Sequence, residues 1–545
     1  MEKVRPLNLT SLQTIPVFAG AMKCLRTAAH GAYEHEISAE LGANMPTQKR
    51  VADAKAAMKA ICRACNARVH AESDQALWTI LATNVAHALD YDMRMCPWQL
   101  LEDQVKHVMT GIQDTLQCLL CRKVDPWSMK RAALPGAFGG LNLALPTRVR
   151  TVSAFVATHL AHAHPAKSIS ERLGCTYVDT EEEAQCKMAS QRLKEEGIIA
   201  GPSEVKFTEA AKQEYQKGPW ASDTPVQDVF LFPGQTSVRT SLRQSTSEAA
   251  GVQEQSVQQA PKDGRSRLFG RILRGSAALE VTRVHAGLDN SRQKIMLSAG
   301  GPGAGTLWTV VPHRPCLRLP NAGWHVATAS RIGALTLAQP AAQCQLHKRD
   351  EDTCAAALDH YLLHPTVCRH GAHWPKRHEA IKEVLVRHLK RAGAIVETEK
   401  AIPEPYMVSV DGTVVEKFMD VVVQWPGGPT PTLIVVTCRS PAAKNMRSAQ
   451  HVTGRAAHAG EQEKWKKYGA QVMPLAFEPY GRIGKARLDL LATLARESAE
   501  FGRARPGLPS CTSRINLKEL RVDLESELAK EACSHCPAIP GALGP

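Results

Sequence analysis

Between Cys344 and Cys368, four residues with metal-ligating side chains fall as C-x9-C-x9-H-x3-C: Cys344, Cys354, His364 and Cys368. A segment this short, with few apolar residues, cannot bury a core of its own, and a bound ion is the usual remedy. Zinc asks for four soft or borderline ligands at tetrahedral corners, and three thiolates with one imidazole supply them. The H-x3-C end suits two ligands presented by one turn. The first x9 spacing is longer than most zinc pairs use. His347, His360, His370 and His373 lie near in the chain and could take a ligand's place. The plainer alternative is a His-rich loop with incidental cysteines; the spacing predicts a structural zinc site.

The chain around this segment has 545 residues, room for several domains, and 44% hydrophobic residues, enough for packed cores. Lysine and arginine total 67 against 53 acids, a net charge of +14. That balance favours polyanionic partners, with nucleic acid first and an anionic membrane surface second. No apolar run approaches the ~18 residues of a membrane span. The opening MEKVRPLNLTSLQTIPVFAG has no secretory pattern. The 16 cysteines are therefore expected as thiols or metal ligands in a reducing compartment, not as disulfides.

Residues 1–100 read as mostly helical, with QKRVADAKAAMKAICRACNARV spacing its apolar residues at helical intervals. Cys62/Cys65 and Cys118/Cys121 are C-x2-C pairs inside apolar helical patterns, and are read as core residues. Pro135, Gly139 and Gly140 break the chain before a helix from about Arg148. Residues 166–235 look helical and charged, and turn irregular near Gly218-Pro219. From about Gln235 to Arg267 the Ser/Thr/Gln-rich sequence predicts a linker. SAGGPGAGTLWTVVPHRP (298–315) lacks the Lys-Ser/Thr of a phosphate loop and is read as a Gly-rich turn before a short strand. Near the end, Leu517–Leu528 predicts an amphipathic helix, and Cys533/Cys536 form a C-x2-C without a partner pair.

After the cysteines, WPKRHEAIKEVLVRHLKRAGA places Ile381, Val384, Leu385 and Leu389 on one helix face and Gly393 at the C-cap. Lys382, Arg387, His388, Lys390 and Arg391 load the other faces with charge, as phosphate contacts or as a solvated surface. KFMDVVVQW, ending at Trp425, and TLIVVTCRS, beginning at Thr432, read as a hairpin. Asp420 inside the first run is either a metal ligand or a strand-edge acid reaching water. A helix from about Ala443 ends in EQEKWKKYG with Lys464, Lys466 and Lys467, and QVMPLAFEPYG follows as a strand. Magnesium-dependent phosphodiester cleavage needs carboxylates on the ion and a base or cation near the water. Asp420 and Lys464 could supply one of each. Where a second acid should face Asp420 stands Val435.

These blocks, in this order, resemble the C-terminal part of non-LTR retrotransposon reverse transcriptase polyproteins that carry a restriction-like endonuclease. DQALWTILATNVAHALDYDMRMC looks like the region after the polymerase active site. LPGAFGGLNLALPTRVRTVSAF resembles the thumb block, with Asn142 where glycine is usual. SAGGPGAGTLWTVVPHRPCLRLPN resembles the connector. The Cys/His element followed by Arg377-His378 resembles the zinc knuckle, and MDVVV, VVTCRSP, KWKKY and VMPLAFEPYG follow the endonuclease blocks.

The resemblance implies zinc on Cys344, Cys354, His364 and Cys368. It implies a nuclease centre of Asp420, Lys464 and Tyr468, with Glu399 as an added acid, served by magnesium. Nucleic-acid contacts are expected from Arg377, His378, Arg387, Lys390, Lys466 and Lys467, with DNA or RNA as partner, no membrane, and a nuclear location, the cytoplasm being the alternative. The fold expected is multidomain: a mostly α N-terminal half, a small zinc site, then an α/β restriction-endonuclease-like domain of the PD-(D/E)XK type. Its expected parts are a post-palm and thumb-like helical region (1–165), a helical connector with linker (166–267), a connector block (268–343), the knuckle (344–378), the endonuclease domain (379–502) and a tail (503–545).

Two departures stand out. The family's Asp-Val-Thr reads Val435-Val436-Thr437, so impaired cleavage is expected, with Glu416 the nearest substitute acid. No Tyr-x-Asp-Asp motif occurs, so polymerisation is not expected of this chain and would belong to a part encoded upstream. The alternatives are a non-catalytic zinc-containing DNA- or RNA-binding protein and an unrelated helical scaffold.

Overall fold

The computed structural model describes residues 44–67, 74–173, 180–201, 204–230, 264–301, 304–312, 317–334, 343–344, 354–359, 361, 363–368, 373–401, 418–426, 430–443, 445–485, 520 and 523–528. The chain is mostly helical, with a small mixed sheet in its C-terminal half. No helix among the described residues is long and apolar enough to cross a membrane. Glu416, His347, His360, His370, Cys533 and Cys536 lie outside the described residues, as does the expected linker up to 263. From Gly264 that stretch is already helix.

In chain order the helices are α1 (Asn44–Asn66), α2 (Asp74–Thr83), α3 (Asp92–Met95), α4 (Trp98–Leu120), α5 (Pro126–Ala133), α6 (Arg148–Leu173), α7 (Thr180–Glu195), α8 (Glu209–Lys217), α9 (Gly264–Ala286), α10 (Asn290–Ala299), α11 (Asn321–Ile332), α12 (His373–Arg391) and α13 (Arg455–Tyr468). The strands are β1 (Ile198–Ala200), β2 (Val205–Phe207), β3 (Ile395–Ala401), β4 (Phe418–Gln424), β5 (Thr432–Cys438) and β6 (Val472–Phe477). By internal packing the chain divides into two units. One comprises Met1–Ile61, Leu81–Thr115 and Ala144–Ala286; the other comprises Cys62–Ile80, Leu116–Leu143 and Gly287–Pro545.

The first unit is helical, with α6 packed against α3, α7 and α9. The β1–β2 hairpin, which helical periodicity had hidden, inserts Ile198, Val205 and Phe207 into its core. Asp92 is buried and accepts from Thr47 (2.7 Å) and Arg50 (2.8 Å), which offsets the cost of sinking a carboxylate.

In the second unit the Gly-rich stretch continues as a 3-10 turn, Thr306–Thr309, where a strand had been expected. Asn142 sits at φ +58°, a left-handed conformation that asparagine tolerates better than most residues, and its side-chain oxygen accepts from the Gly136 N–H at 3.0 Å. Gly140 has no such latitude, since a Cβ would meet the Leu134 carbonyl oxygen at 1.9 Å.

The C-terminal sheet has the order β3-β4-β5-β6. β3–β4 and β4–β5 are antiparallel, and β5–β6 are parallel, joined by the crossover helix α13. The expected hairpin is β4–β5. The apolar face of α12, Ile381, Val384, Leu385 and Leu389, packs on Val421, Val423, Ile434, Val436, Leu475 and Phe477. A smaller cluster of Met419, Val422, Val435, Tyr468 and Val472 forms a separate core. The helix α12 stops where expected: Ala394 N–H bonds the Leu389 carbonyl and Gly393 N–H the Lys390 carbonyl, with Gly393 at φ +93°.

Candidate metal centre and the adjoining sheet end

Four donor atoms from Cys344, Cys354, His364 and Cys368 lie within 4.8 Å of one another. The Cys344 and Cys368 sulfurs are 3.8 Å apart, and the Cys354 sulfur lies 3.4 Å from His364 Nε2. Zn–S bonds of about 2.3 Å at tetrahedral angles put neighbouring sulfurs about 3.8 Å apart, so the pocket is already the size of a zinc coordination shell. Backbone bonds build it from both ends. Cys344 N–H donates to the Ala356 carbonyl (2.8 Å), Ala355 N–H returns the bond to Cys344 (3.2 Å), and Ala355 takes φ +49°. The second pair sits on one turn, with Cys368 N–H bonded to the His364 carbonyl at 2.9 Å. These residues could hold a metal ion such as zinc, and the ion would supply the cross-link that this core-poor segment lacks.

Asp359 organises the His364 turn. Its carboxylate accepts from the backbone N–H groups of Tyr361 (3.2 Å), Leu363 (2.8 Å) and His364 (2.6 Å). The sequence reading had missed Asp359. An acid five residues before a ligating histidine is a turn-capping signal that could have been found.

The Cys/His element docks on one end of the sheet. Thr366 and Ser440 share a buried hydroxyl–hydroxyl bond at 2.6 Å, just past β5. At the same end Arg377 is buried, with Nη1 on the Cys438 sulfur at 3.8 Å. Burial pushes the Cys438 thiol up and Arg377 opposes that. Arg377 thus fixes α12 to β5 and presents no exposed guanidinium.

Asp420 lies here too, half-buried on β4. Its Oδ2 accepts from the Val436 N–H at 2.6 Å and lies 3.2 Å from His378 Nε2. The β4–β5 pairing runs Val423↔Thr432, Val422↔Leu433, Val421↔Ile434, so Val435 is the next position facing Asp420. Val435 is 1% exposed within the smaller cluster. On the other side the β3–β4 ladder pairs Thr398 with Val421 and Lys400 with Met419 and passes over Glu399, which is held at φ +50°. The kink is a local irregularity where a side chain is re-aimed. Glu399 is turned onto Lys382 (2.5 Å), which also binds Glu379 (2.6 Å). Burial works against the Lys382 charge, yet the bonds to Glu379 and Glu399 raise its pKa above the usual lysine range.

Lys464 and Tyr468 approach on α13. Burial lowers the Lys464 pKa below the usual lysine range; the Asp420 carboxylate opposes this, and Lys467 and Arg439 reinforce it. Lys464 and Lys467 lie 5.9 and 4.8 Å from the Tyr468 ring centre. The ring itself is buried against Val435 and Met419, which makes Tyr468 a packing residue under the lysines. Lys390, Lys466, Lys467 and Arg387 are exposed, although Arg387 also pairs with Asp523 at 3.3 Å. Lys382 and His388, both counted as surface charge from sequence, are buried on acids.

The donor set fits magnesium poorly. Magnesium asks for hard oxygen ligands, usually one or two carboxylates with substrate phosphate. One Asp420 oxygen is committed to Val436 and His378, Val435 brings none, and Glu399 is engaged by Lys382. Comparison with known protein families and with curated proteins finds no match to this chain.

Proposed function

We propose that this chain binds nucleic acid through a zinc-held element and exposed lysines around one end of a restriction-endonuclease-like sheet of the PD-(D/E)XK type. In this reading it is related to the C-terminal part of non-LTR retrotransposon reverse transcriptases. Its phosphodiester-cleaving centre lacks one acid. The observation that carries the reading is that Asp420 on β4 and an apolar Val435 on β5 occupy the positions just beyond the register pair Val421↔Ile434, while His378 lies 3.2 Å from the same carboxylate and the Lys464 charge acts on it. A carboxylate with a lysine beside it is the start of a magnesium-nuclease centre, and the valine is where that start fails. Support also comes from element order: basic helix, acid-bearing strand, second strand, Lys-rich helix and closing strand follow one another as expected from the resemblance.

The test restores the acid. Val435→Asp places a second carboxylate beside Asp420, in a site that is 1% exposed. Without a cation, burying it costs about 2–4 kcal/mol. The variant is expected to be destabilised in chelator, to recover stability in millimolar magnesium, and to nick supercoiled DNA where the parent does not. Asp420→Asn in the same background should abolish both effects. If magnesium neither rescues the stability of Val435→Asp nor elicits nicking, the nuclease-derived reading fails. A zinc-containing binding protein with no hydrolytic ancestry would then stand in its place, a reading supported by the engagement of Asp420 Oδ2 with Val436 and His378.

A further inference from the structure

We propose that Cys62, Cys65, Cys118 and Cys121 form a second zinc centre, a four-thiolate site that ties the last turn of α1 to the last turn of α4. Taken along the chain, the two C-x2-C pairs are more than fifty residues apart and look unrelated. The fold brings them together. The Cys65 thiol donates to the Cys118 carbonyl at 3.4 Å. The Cys118 thiol lies 3.8 Å from the Cys62 carbonyl and 3.7 Å from the Asn66 side-chain oxygen. Side-chain contacts link Cys65 to Cys121 and Cys118 to both Cys62 and Cys65. None of the four is in a disulfide.

The spacing serves coordination. Cys62 and Cys65, three apart on α1, share a face, and Cys121, just past the end of α4, donates its thiol to the Cys118 carbonyl at 3.6 Å; the four sulfurs are not yet gathered to ligand distance, and a bound ion would draw them in. Two thiolates from each of two pairs make up the all-cysteine ligand set of a structural zinc site.

The end of α4 carries a second, independent sign. Arg122 N–H bonds the Gln117 carbonyl and Cys121 N–H the Cys118 carbonyl, the bond pattern of a helix stop whose turning residue is left-handed. That position is ordinarily glycine. Here it is Cys121, at φ +51°. A side chain with a Cβ is held in an unfavourable conformation that swings its sulfur back toward Cys65. Such strain is retained where the aimed side chain has a task, and a thiolate ligand is one.

Both pairs sit at helix C-termini, whose carbonyl ends favour a bound cation. Arg63, Arg122 and Lys123 flank the cluster and offset the net negative charge of a four-thiolate zinc site.

The test counts zinc in the full-length protein, purified without chelator, by elemental mass spectrometry. Two zinc ions per chain are expected. Cys62→Ser with Cys118→Ser should lower the count to one, and Cys344→Ser with Cys368→Ser should remove the other ion independently. Because a variant can lose its fold, alkylation of the unmodified protein is mapped in parallel, cysteine by cysteine. Cys121 is exposed, so a free thiol there would react quickly. The proposal expects Cys62, Cys65, Cys118 and Cys121 to be protected together in the zinc form and to react together after chelation. It is overturned by a parent count of one zinc that survives Cys62→Ser/Cys118→Ser, by Cys121 alkylating at one rate with and without zinc, or by a native mass two hydrogens light that maps a disulfide to these residues.

Discussion

Asp420 keeps its place on β4 because two neighbours satisfy it, the Val436 N–H at 2.6 Å and His378 at 3.2 Å. From sequence the acid was visible, and so was the valine at 435. What could not be read was His378, whose 42-residue separation from Asp420 hides their pairing, and the left-handed Glu399 that turns that acid onto Lys382. Local pattern carries no information about which distant group meets a carboxylate. Glu478 is a second buried acid, and it gives a pH prediction. It accepts from Ala456 N–H (3.1 Å) and Ala457 N–H (3.0 Å) at the start of α13, and burial raises its pKa above the ordinary value of 4.5, with Arg482 opposing. A raised acid pKa contributes stability that is full below the unfolded value and is lost as pH rises through the folded one. Glu478→Gln keeps the acceptor oxygen and removes the titration. In urea unfolding from pH 4 upward, the parent should therefore lose stability relative to Glu478→Gln, with the gap levelling once Glu478 is ionised. A gap that does not change with pH would show that Glu478 is not titrating in this range.

At the scale of elements, the Cys/His element, with zinc as its proposed ion, and the sheet should separate energetically. Among the described residues of the Cys344–Cys368 segment, Leu363 is the one large apolar side chain that is buried, while the sheet has the α12 core behind it. Removing zinc with a chelator is expected to raise hydrogen exchange across 354–368 and around Ser440, where Thr366 docks, and to leave β4 and β5 protected. Protection unchanged across 354–368 would mean the segment folds without a metal. The crossover helix offers a sharper local test. Gly454 caps α13 at φ +64°, and a Cβ there would meet Arg482 Nε at 2.7 Å. Gly454→Ala should cost about 1–2 kcal/mol in unfolding free energy, against little for an exposed alanine substitution. Most of these elements were legible in advance. The apolar stripe of α12, the hairpin of β4 and β5 and the Gly393 stop follow from periodicity and cap chemistry. The β1–β2 hairpin was not, because three-residue strands are too short to show alternation beside charged helices. Cys62, Cys65, Cys118 and Cys121 were read as core residues, which holds for Cys65 and fails for the exposed Cys121; two helix ends brought together from distant sequence leave no signature in either one.

At the scale of the whole chain, 67 basic residues against 53 acids set the sign of any partner but not its location. Buried groups such as Arg377, Lys382 and His388 are spent on internal contacts, whereas Lys390, Lys466 and Lys467 remain exposed. Binding through phosphates displaces counterions, so affinity should fall with salt at a log–log slope of about −0.9 per duplex phosphate neutralised. Reversing Lys390, Lys466 and Lys467 to glutamate should weaken binding across sequences alike and flatten that slope by roughly 2–3. The most direct measurement is therefore the affinity of the zinc-loaded parent for a DNA duplex and for a structured RNA, across a range of salt. The predicted result is binding to at least one of them at low salt, with a steep slope that the triple reversal flattens. Absence of binding to either at low salt, or a parent slope near zero, would contradict a nucleic-acid role.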